Sequence, residues 1–562
     1  MGRGRGGGRP HLTIGSDAAN LPTASEAADL TGERDPGARW ALLAFAAVAL
    51  GAFVFYISLG RRQWFFADEW EFLASRSIGG GDLLRAHYGH WVAVPIVAYR
   101  FLWQVVGLRS YVPYVGLSIA LHLVAAGLLW VVMRRAHVRP WTATIVASVF
   151  VLFGAGAQDI LWAFQITFTG ALVFGLAHLL LADHDGPTDS RDWLGLGAGL
   201  LGLMCSGVAV TMVIVVGIAT LLRRGWRAAA LNTVPLGVIY AAWWLRYSHG
   251  TSPLRGSTRE IFDWVVSGAG GVFGELGSVR GTGWLLAALL IGGGVLVARR
   301  SGIGDVRKDL VLPVALLIGA AVFLLIAGFD RGGVGSAAAR QSRYLHILAA
   351  LVLPAIAVAI DAVLDRSRVL GVVAIAVLLV GVPGNVASAR DYSHRQRRID
   401  GPTRQMMLSI GRDPLASNVP AALRPEPNRA PTLTLGWLRS GIASGRVPST
   451  RPPSAFEART NRLRLSLMEL DERSRYGCTA LTGPSVVRLA RGERLGVGGK
   501  VAVVLLDSSA GGHPLASGVV LFGNGLLNQS LSHTLVAVRG PLTLRIAPNG
   551  RLPTALCRQP RT

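Results

Sequence analysis

Apolar runs broken by short polar connections fill the first two thirds of the chain. They fall near 40–60, 112–133, 141–157, 164–182, 193–205, 208–222, 228–245, 283–298, 309–328, 345–363 and 369–384. Most are apolar on every face, the pattern of helices surrounded by lipid, although several are short for a crossing. They predict a polytopic α-helical membrane protein with about eleven transmembrane helices. The run at 91–108 reads differently. Arg100 and Gln104 interrupt its second half and Pro95 its start, and an arginine at mid-membrane costs about 2.5–3.5 kcal/mol. Trp91, Tyr99 and Trp103 suit an interface, so the expected element is an amphipathic helix lying on the outer surface within a long external loop, 61–111. Beyond about 476 the pattern turns to short β-prone runs, at 485–489, 500–506, 518–522, 533–538 and 542–546, separated by Gly, Asn and Pro.

The charge pattern orients this topology. Arg134, Arg135 and Arg139, then Arg223, Arg224 and Arg227, then Arg299, Arg300, Arg307 and Lys308, and finally Arg366 and Arg368 fall on alternate connections, the cytoplasmic bias expected of basic residues. The connection at 183–192 runs against it, with four aspartates and one arginine. The resulting divisions are a disordered cytoplasmic tail at 1–38, a membrane domain at 39–390, an extracytoplasmic linker with short helices such as 459–473 at 391–475, and a small extracytoplasmic β-sandwich at 476–562. Composition agrees: 51% of residues are hydrophobic and only 16% charged, below the soluble norm of roughly 25%. The net charge of +24 is scattered arginine rather than a dense tract, which points to membrane lipids and argues against nucleic acid. The arginine-rich, lysine-poor usage is that of a GC-rich bacterium. Cys205 lies in an apolar run, whereas Cys478 and Cys557 bracket the β region, where a disulfide would persist outside the cytosol.

Candidate chemistry collects on the external side. Asp68 and Glu69 follow the first span among Phe65, Phe66, Trp70 and Phe72; such a pair is either a hydrated acidic cluster or a base held at headgroup level, with Asp68 the better placed of the two. His87 and His90 come next. They could share a helix face and join the acids around a divalent metal, hydrogen-bond a substrate or phosphate, or be ordinary interfacial histidines. Gln158, Asp159, Trp162, Phe164 and Gln165 form a polar and aromatic turn suited to a sugar or to a plain aromatic belt. Arg331, Arg340 and Arg343, with Tyr344, break the basic-inside pattern. A lipid phosphate, anionic headgroups or the carboxylates of the first loop would compensate them.

An opening span, an external Asp68-Glu69 pair, a histidine stretch running to Pro95 and an interfacial helix, then Gly107-Leu108 and a span ending in Arg134-Arg135 together resemble the GT-C glycosyltransferases of the protein-mannosyltransferase and aminoarabinose-transferase type. The resemblance covers about 40–390 as topology and a few short motifs. It implies an inverting membrane glycosyltransferase that moves a sugar from a polyprenyl-phosphate donor to a cell-envelope glycan, lipid or protein. It implies Asp68, with Glu69 beside it, as catalytic base, and a late external loop, here Arg340 and Arg343, on the lipid phosphate. His87, His90, Gln165 and Tyr344 would contact substrate. Pro95 stands five residues after His90 where relatives have a tighter His-Pro-Pro, which leaves the histidines' role open. Two other readings compete: a transporter or flippase of lipid-linked glycans, disfavoured because the spans hold few polar residues beyond His122 and His178, and a noncatalytic envelope-assembly protein acting through its β domain. The GxGxxG match at Gly197–Gly202 lies inside an apolar span and reads as close helix packing.

Overall fold

The computed structural model describes residues 36–248, 254–300, 310–470, 478–498, 501–506, 514–522, 533–539, 541–548 and 555–558. Residues 1–35, Arg307 and Lys308 lie outside them. Among the described residues thirteen helices run from α1 (Pro36–Gly60), α2 (Ala93–Val105) and α3 (Val112–Arg135) through α4 (Pro140–Val151), α5 (Ile166–Ala182), α6 (Ser190–Leu203), α7 (Val208–Arg224) and α8 (Trp226–Tyr247) to α9 (Thr258–Gly277), α10 (Thr282–Arg300), α11 (Val311–Arg331), α12 (Ser342–Arg366) and α13 (Arg368–Ile410). Among the described residues nine helices are long and apolar enough to cross a membrane, α4 and α5 only together with the short helical turns that carry them over Pro140–Leu161 and Ala163–Ala182. Hydropathy marks eleven candidates; the other two are α6, of 14 residues, and α7, of 17, which no such turn extends toward the roughly 20 residues a crossing needs. The helix α2 has 13 residues, too few to span. Trp91, Tyr99 and Trp103 face the protein, where Tyr99 bonds to Glu69, Trp91 stacks on Trp243 and Trp103 packs on Trp437, while Val97, Phe101 and Val105 form an exposed apolar face.

Local signals place the ends. Prolines open α1 and α4, and Asp189 with Asp192 forms a capping box on α6. The alternating direction of the helices gathers the connections into two groups. At one end Arg139 pairs with Asp361 and Asp365, Arg135 and Arg223 share Asp183, and Arg224 holds Asp192. The acidic connection at 183–192 is thereby explained as a counter-charge for the neighbouring arginines. Small residues let helices meet there as expected: a Cβ on Gly199 would strike the His178 ring, and His178 in turn bonds Asn232 at 3.2 Å.

The opposite end carries the long first loop. The helix α9, which hydropathy did not pick out, packs there against the segment before α12, with Gly271 against Arg340 and Gly381 of α13 against the Leu276 carbonyl. α13 does not stop near 384. It continues for 43 residues, about 65 Å, and the segment after it is no loose linker. Together with α14 (Leu435–Ala443) and α15 (Ala455–Arg464) it folds back over the first loop: Trp437 packs on Trp70 and Trp103, and the Arg446 carbonyl accepts from the Leu108 N–H. Gly107 sits at φ +62°, where its missing Cβ lets the Arg446 backbone approach. The helix expected at 459–473 ends at Arg464 and gives way to a strand.

The C-terminal region is a two-sheet sandwich. Strands β1 (Leu467–Leu470), β7 (His533–Ala537), β4 (Arg494–Gly498), β9 (Ala555–Arg558) and β2 (Cys478–Ala480) form one sheet in that order. Strands β3 (Ser485–Leu489), β8 (Leu542–Pro548), β5 (Val501–Leu506) and β6 (Pro514–Phe522) form the other. Leu495, Leu535 and Leu556 of the first sheet meet Val487, Leu489 and Leu544 of the second in a common core. Cys478 and Cys557 face each other across β2 and β9 and are bonded, closing a separation of 79 residues. Replacing both by serine is expected to lower the stability of this domain by about 3–5 kcal/mol, seen as faster proteolysis of the C-terminal region than of the helical bundle.

Candidate functional site

The loop after α1 is fixed from behind by α13 and its follow-on segment. The Trp64 N–H donates to Asp400 at 3.0 Å, Arg429 pairs with Asp400, and the Ala67 N–H donates to the Arg429 carbonyl. Ala67 is held at φ +52°, a conformation that costs a non-glycine residue about 1 kcal/mol or more, just before the acidic pair. The turn that follows, with the Glu71 N–H on the Asp68 carbonyl, sends the two neighbouring carboxylates in different directions.

Glu69 goes inward. Its carboxylate accepts from the hydroxyls of Tyr99 and Tyr111, the Trp162 indole and the Phe66 N–H, at 2.7–3.2 Å. Burial pushes its pKa up to about 8 against the pull of these donors. With every oxygen engaged it ties four chain segments together, so the structure places it as a strut where the sequence had it beside the base. Asp68 instead is half-buried and makes no hydrogen bond or ion pair among the described residues. Burial raises its pKa above the ordinary aspartate value, and His87, Arg343 and Arg331 act against that rise while Glu71 adds to it.

His87 is positioned by a chain of charges. Arg76, buried, donates to Glu71 and to the carbonyls of Asp82, Arg85 and Ala86; Glu71 then accepts from His87 Nδ1 at 2.9 Å. Burial opposes the ionisation of Glu71, but His87 and Arg76 overcome it and bring its pKa down to about 2. The ring is thus fixed with Nε2 buried and without a partner. His87 and His90 do not share a helix face. They close a two-residue turn through Tyr88 (φ +47°) and Gly89 (φ +84°), with reciprocal N–H to carbonyl bonds, and His90 packs on Gly207.

The second wall is the stretch 154–165. Asn385 of α13 anchors it by accepting from the Ala155 N–H while donating to Glu275 and Gly381 carbonyls, and Ser342 Oγ bonds Ala155 and Gln158. Trp162 stacks on Phe66 at 4.7 Å, and Phe164, Phe72 and His87 pack against one another. Gln165 is fully buried with both amide atoms unpartnered.

The third wall is the approach to α12, and here the expected pair separates. Arg343 acts on both Asp68 and Asp159, yet forms no ion pair with either among the described residues, and its Nε is buried without a partner. Arg340 turns the other way, to Ser267 of α9 at 3.2 Å. Arg331, beside Asp330, takes its place as the second guanidinium near Asp68. Tyr344 is core, packed between Trp264 and Phe323. In the sequence Glu71 reads only as one of the first-loop carboxylates that could compensate the arginines. Its signal was the spacing from Glu69, half a helical turn, which sends it to another face.

No three-ligand grouping forms from His87, His90 and the acids. The grouping found among the described residues is His184, Asp189 and Asp192 at the opposite end, and its carboxylates are taken by Arg191, Arg224, Asn232 and the α6 cap. A cleft of about 560 Å³ lies apart from Asp68, between Asp413, Arg462, Arg539 and Leu542. No family model matches the sequence, and no curated protein matches it. Among solved structures the chain is similar to the crystal structure of ArnT from Cupriavidus metallidurans in the apo state, at 14% sequence identity and a TM-score of 0.43, over 76% of this chain and 88% of that one.

Proposed function

We propose that this chain is a membrane glycosyltransferase that works on the extracytoplasmic side and moves a sugar from a polyprenyl-phosphate donor to a hydroxyl of a cell-envelope acceptor. One observation carries this reading: a partner-free carboxylate, Asp68, lies within electrostatic reach of a fixed histidine and of two guanidiniums contributed by segments more than 200 residues away in sequence. In the proposed mechanism the Asp68 carboxylate takes the proton of the acceptor hydroxyl as its oxygen attacks the anomeric carbon, and the bond to the phosphate oxygen breaks with inversion. Arg343 and Arg331 stabilise the charge that grows on the departing phosphate. His87, through its buried Nε2, and Gln165, through its unpartnered amide, hydrogen-bond sugar or acceptor, and Phe66, Trp162 and Phe164 provide aromatic surface for the sugar.

The test is transfer from a polyprenyl-phosphate sugar in proteoliposomes. Arg343→Ala is expected to raise the donor KM about 10- to 100-fold, the loss of a charge-assisted contact worth about 1.5–3 kcal/mol. Arg340→Ala, whose side chain serves Ser267, should change it less than about threefold, as a surface substitution does. Equal effects of the two, or no transfer by the wild-type chain from any such donor, would count against the assignment.

A further inference from the structure

Behind Arg343 three buried side chains form a row. His122 Nε2 lies 3.1 Å from the Val151 carbonyl, His122 Nδ1 lies 2.9 Å from His346 Nε2, and His346 Nδ1 lies 3.2 Å from Asp159 Oδ2. All three side chains have zero exposure, and neither oxygen of Asp159 receives a hydrogen bond among the described residues.

Donor and acceptor counting fixes the protons in this row. The Val151 carbonyl only accepts, so His122 Nε2 carries hydrogen, and the other nitrogen of that neutral ring is an acceptor. His346 Nε2 must then supply the hydrogen between the rings, which leaves His346 Nδ1 as a lone pair facing a carboxyl oxygen that no donor reaches. Two buried acceptors at that distance repel, and an ionised carboxylate with no donor is costly to bury. Arg343, one turn before His346 on α12, is the cation that acts on Asp159, yet among the described residues it forms no ion pair with it.

We propose that Asp159 and His346 share one proton, so that the His122–His346–Asp159 row carries no net charge and leaves Arg343 unneutralised for the phosphate of an anionic lipid ligand. His346 is thereby a positioning residue that acts through Asp159. The role for Arg343 rests on the function proposed above; the shared proton does not.

Two measurements on the full chain in nanodiscs test this. Infrared difference spectra between wild type and Asp159→Asn, with carbon-13-labelled aspartate, are expected to show a protonated-carboxyl band that the variant lacks; no such band overturns the proposal. In the second, binding of a polyprenyl phosphate is measured directly. His346→Gln keeps an amide within reach of His122 but offers no acceptor at the Nδ1 position; a buried carboxyl with no donor stays protonated, so its band persists at a higher frequency and binding stays within about threefold of wild type. Asp159→Asn preserves a neutral group of the same shape and is likewise expected to bind within about threefold of wild type. An Asp159→Asn variant that binds about tenfold or more tightly than wild type, the result of removing a carboxylate charge from beside Arg343, overturns the proposal. If the wild-type chain binds no polyprenyl phosphate, the functional reading falls and the infrared result alone decides the proton.

Discussion

Asp68→Asn is expected to lower sugar transfer by about 10²- to 10⁴-fold, the contribution of a positioned general base, while leaving thermal unfolding unchanged. The separation follows from what Asp68 touches. Its carboxylate is engaged by no donor among the described residues, so an amide of the same size removes basicity and little else. The pH dependence has a definite sign. Only the ionised carboxylate accepts a proton, so kcat/KM should fall as pH drops through the Asp68 pKa. Burial places that limb above the ordinary aspartate value of 3.8. Arg343 pulls the pKa down, so Arg343→Ala should move the limb to higher pH. Initial rates across a pH series, with wild type and both variants, check all three statements.

Glu69→Ala is expected to do the reverse, lowering stability by at least about 3 kcal/mol because it leaves four buried donors unanswered. The thermal midpoint should fall by several degrees, and transfer should drop in proportion to the folded fraction. The linkage sign follows from a folded-state pKa raised from 4.5 to about 8: between these values the folded chain holds a proton that the unfolded chain releases. The stability from this group is therefore complete below pH 4.5 and is lost as pH rises through about 8. Glu69→Gln, whose N–H groups can face the hydroxyls of Tyr99 and Tyr111, should flatten that dependence at a smaller cost in stability. Unfolding followed by tryptophan fluorescence from pH 5 to 9, as a rough window, separates the variants. Two adjacent acids would then show opposite phenotypes, one in rate and the other in stability.

Hydropathy made the helical bundle and most of the strands legible, because lipid contact writes itself into long apolar runs and sheet burial into short β-branched ones. It missed α9, whose Asp263 and Glu275 break the apolar run, although the helix packs against the membrane-length helices. It also missed the continuation of α13 past 384. Arg390, Arg395, Arg397 and Arg398 look like a linker by composition, yet a helix needs no apolar face where it leaves the bundle. In the site, Asp68 and His87 were readable as residues near aromatics at the membrane boundary. The choice between Asp68 and Glu69 as a free group turned on the strained Ala67 and on Tyr99, Tyr111 and Trp162, all set by tertiary contacts. Arg340 and Arg343 looked equivalent in sequence. A short turn before α12 points one at Ser267 and the other toward Asp68, and no periodicity records that.

The most direct measurement is a structure of the chain in nanodiscs with a bound polyprenyl-phosphate analogue. The expected result is phosphate density in contact with Arg343, on the side facing Asp68, with the lipid tail running down between helices toward the basic end. Density at that basic end itself, or anywhere out of reach of both Asp68 and Arg343, would contradict the proposed site and the transfer reaction built on it.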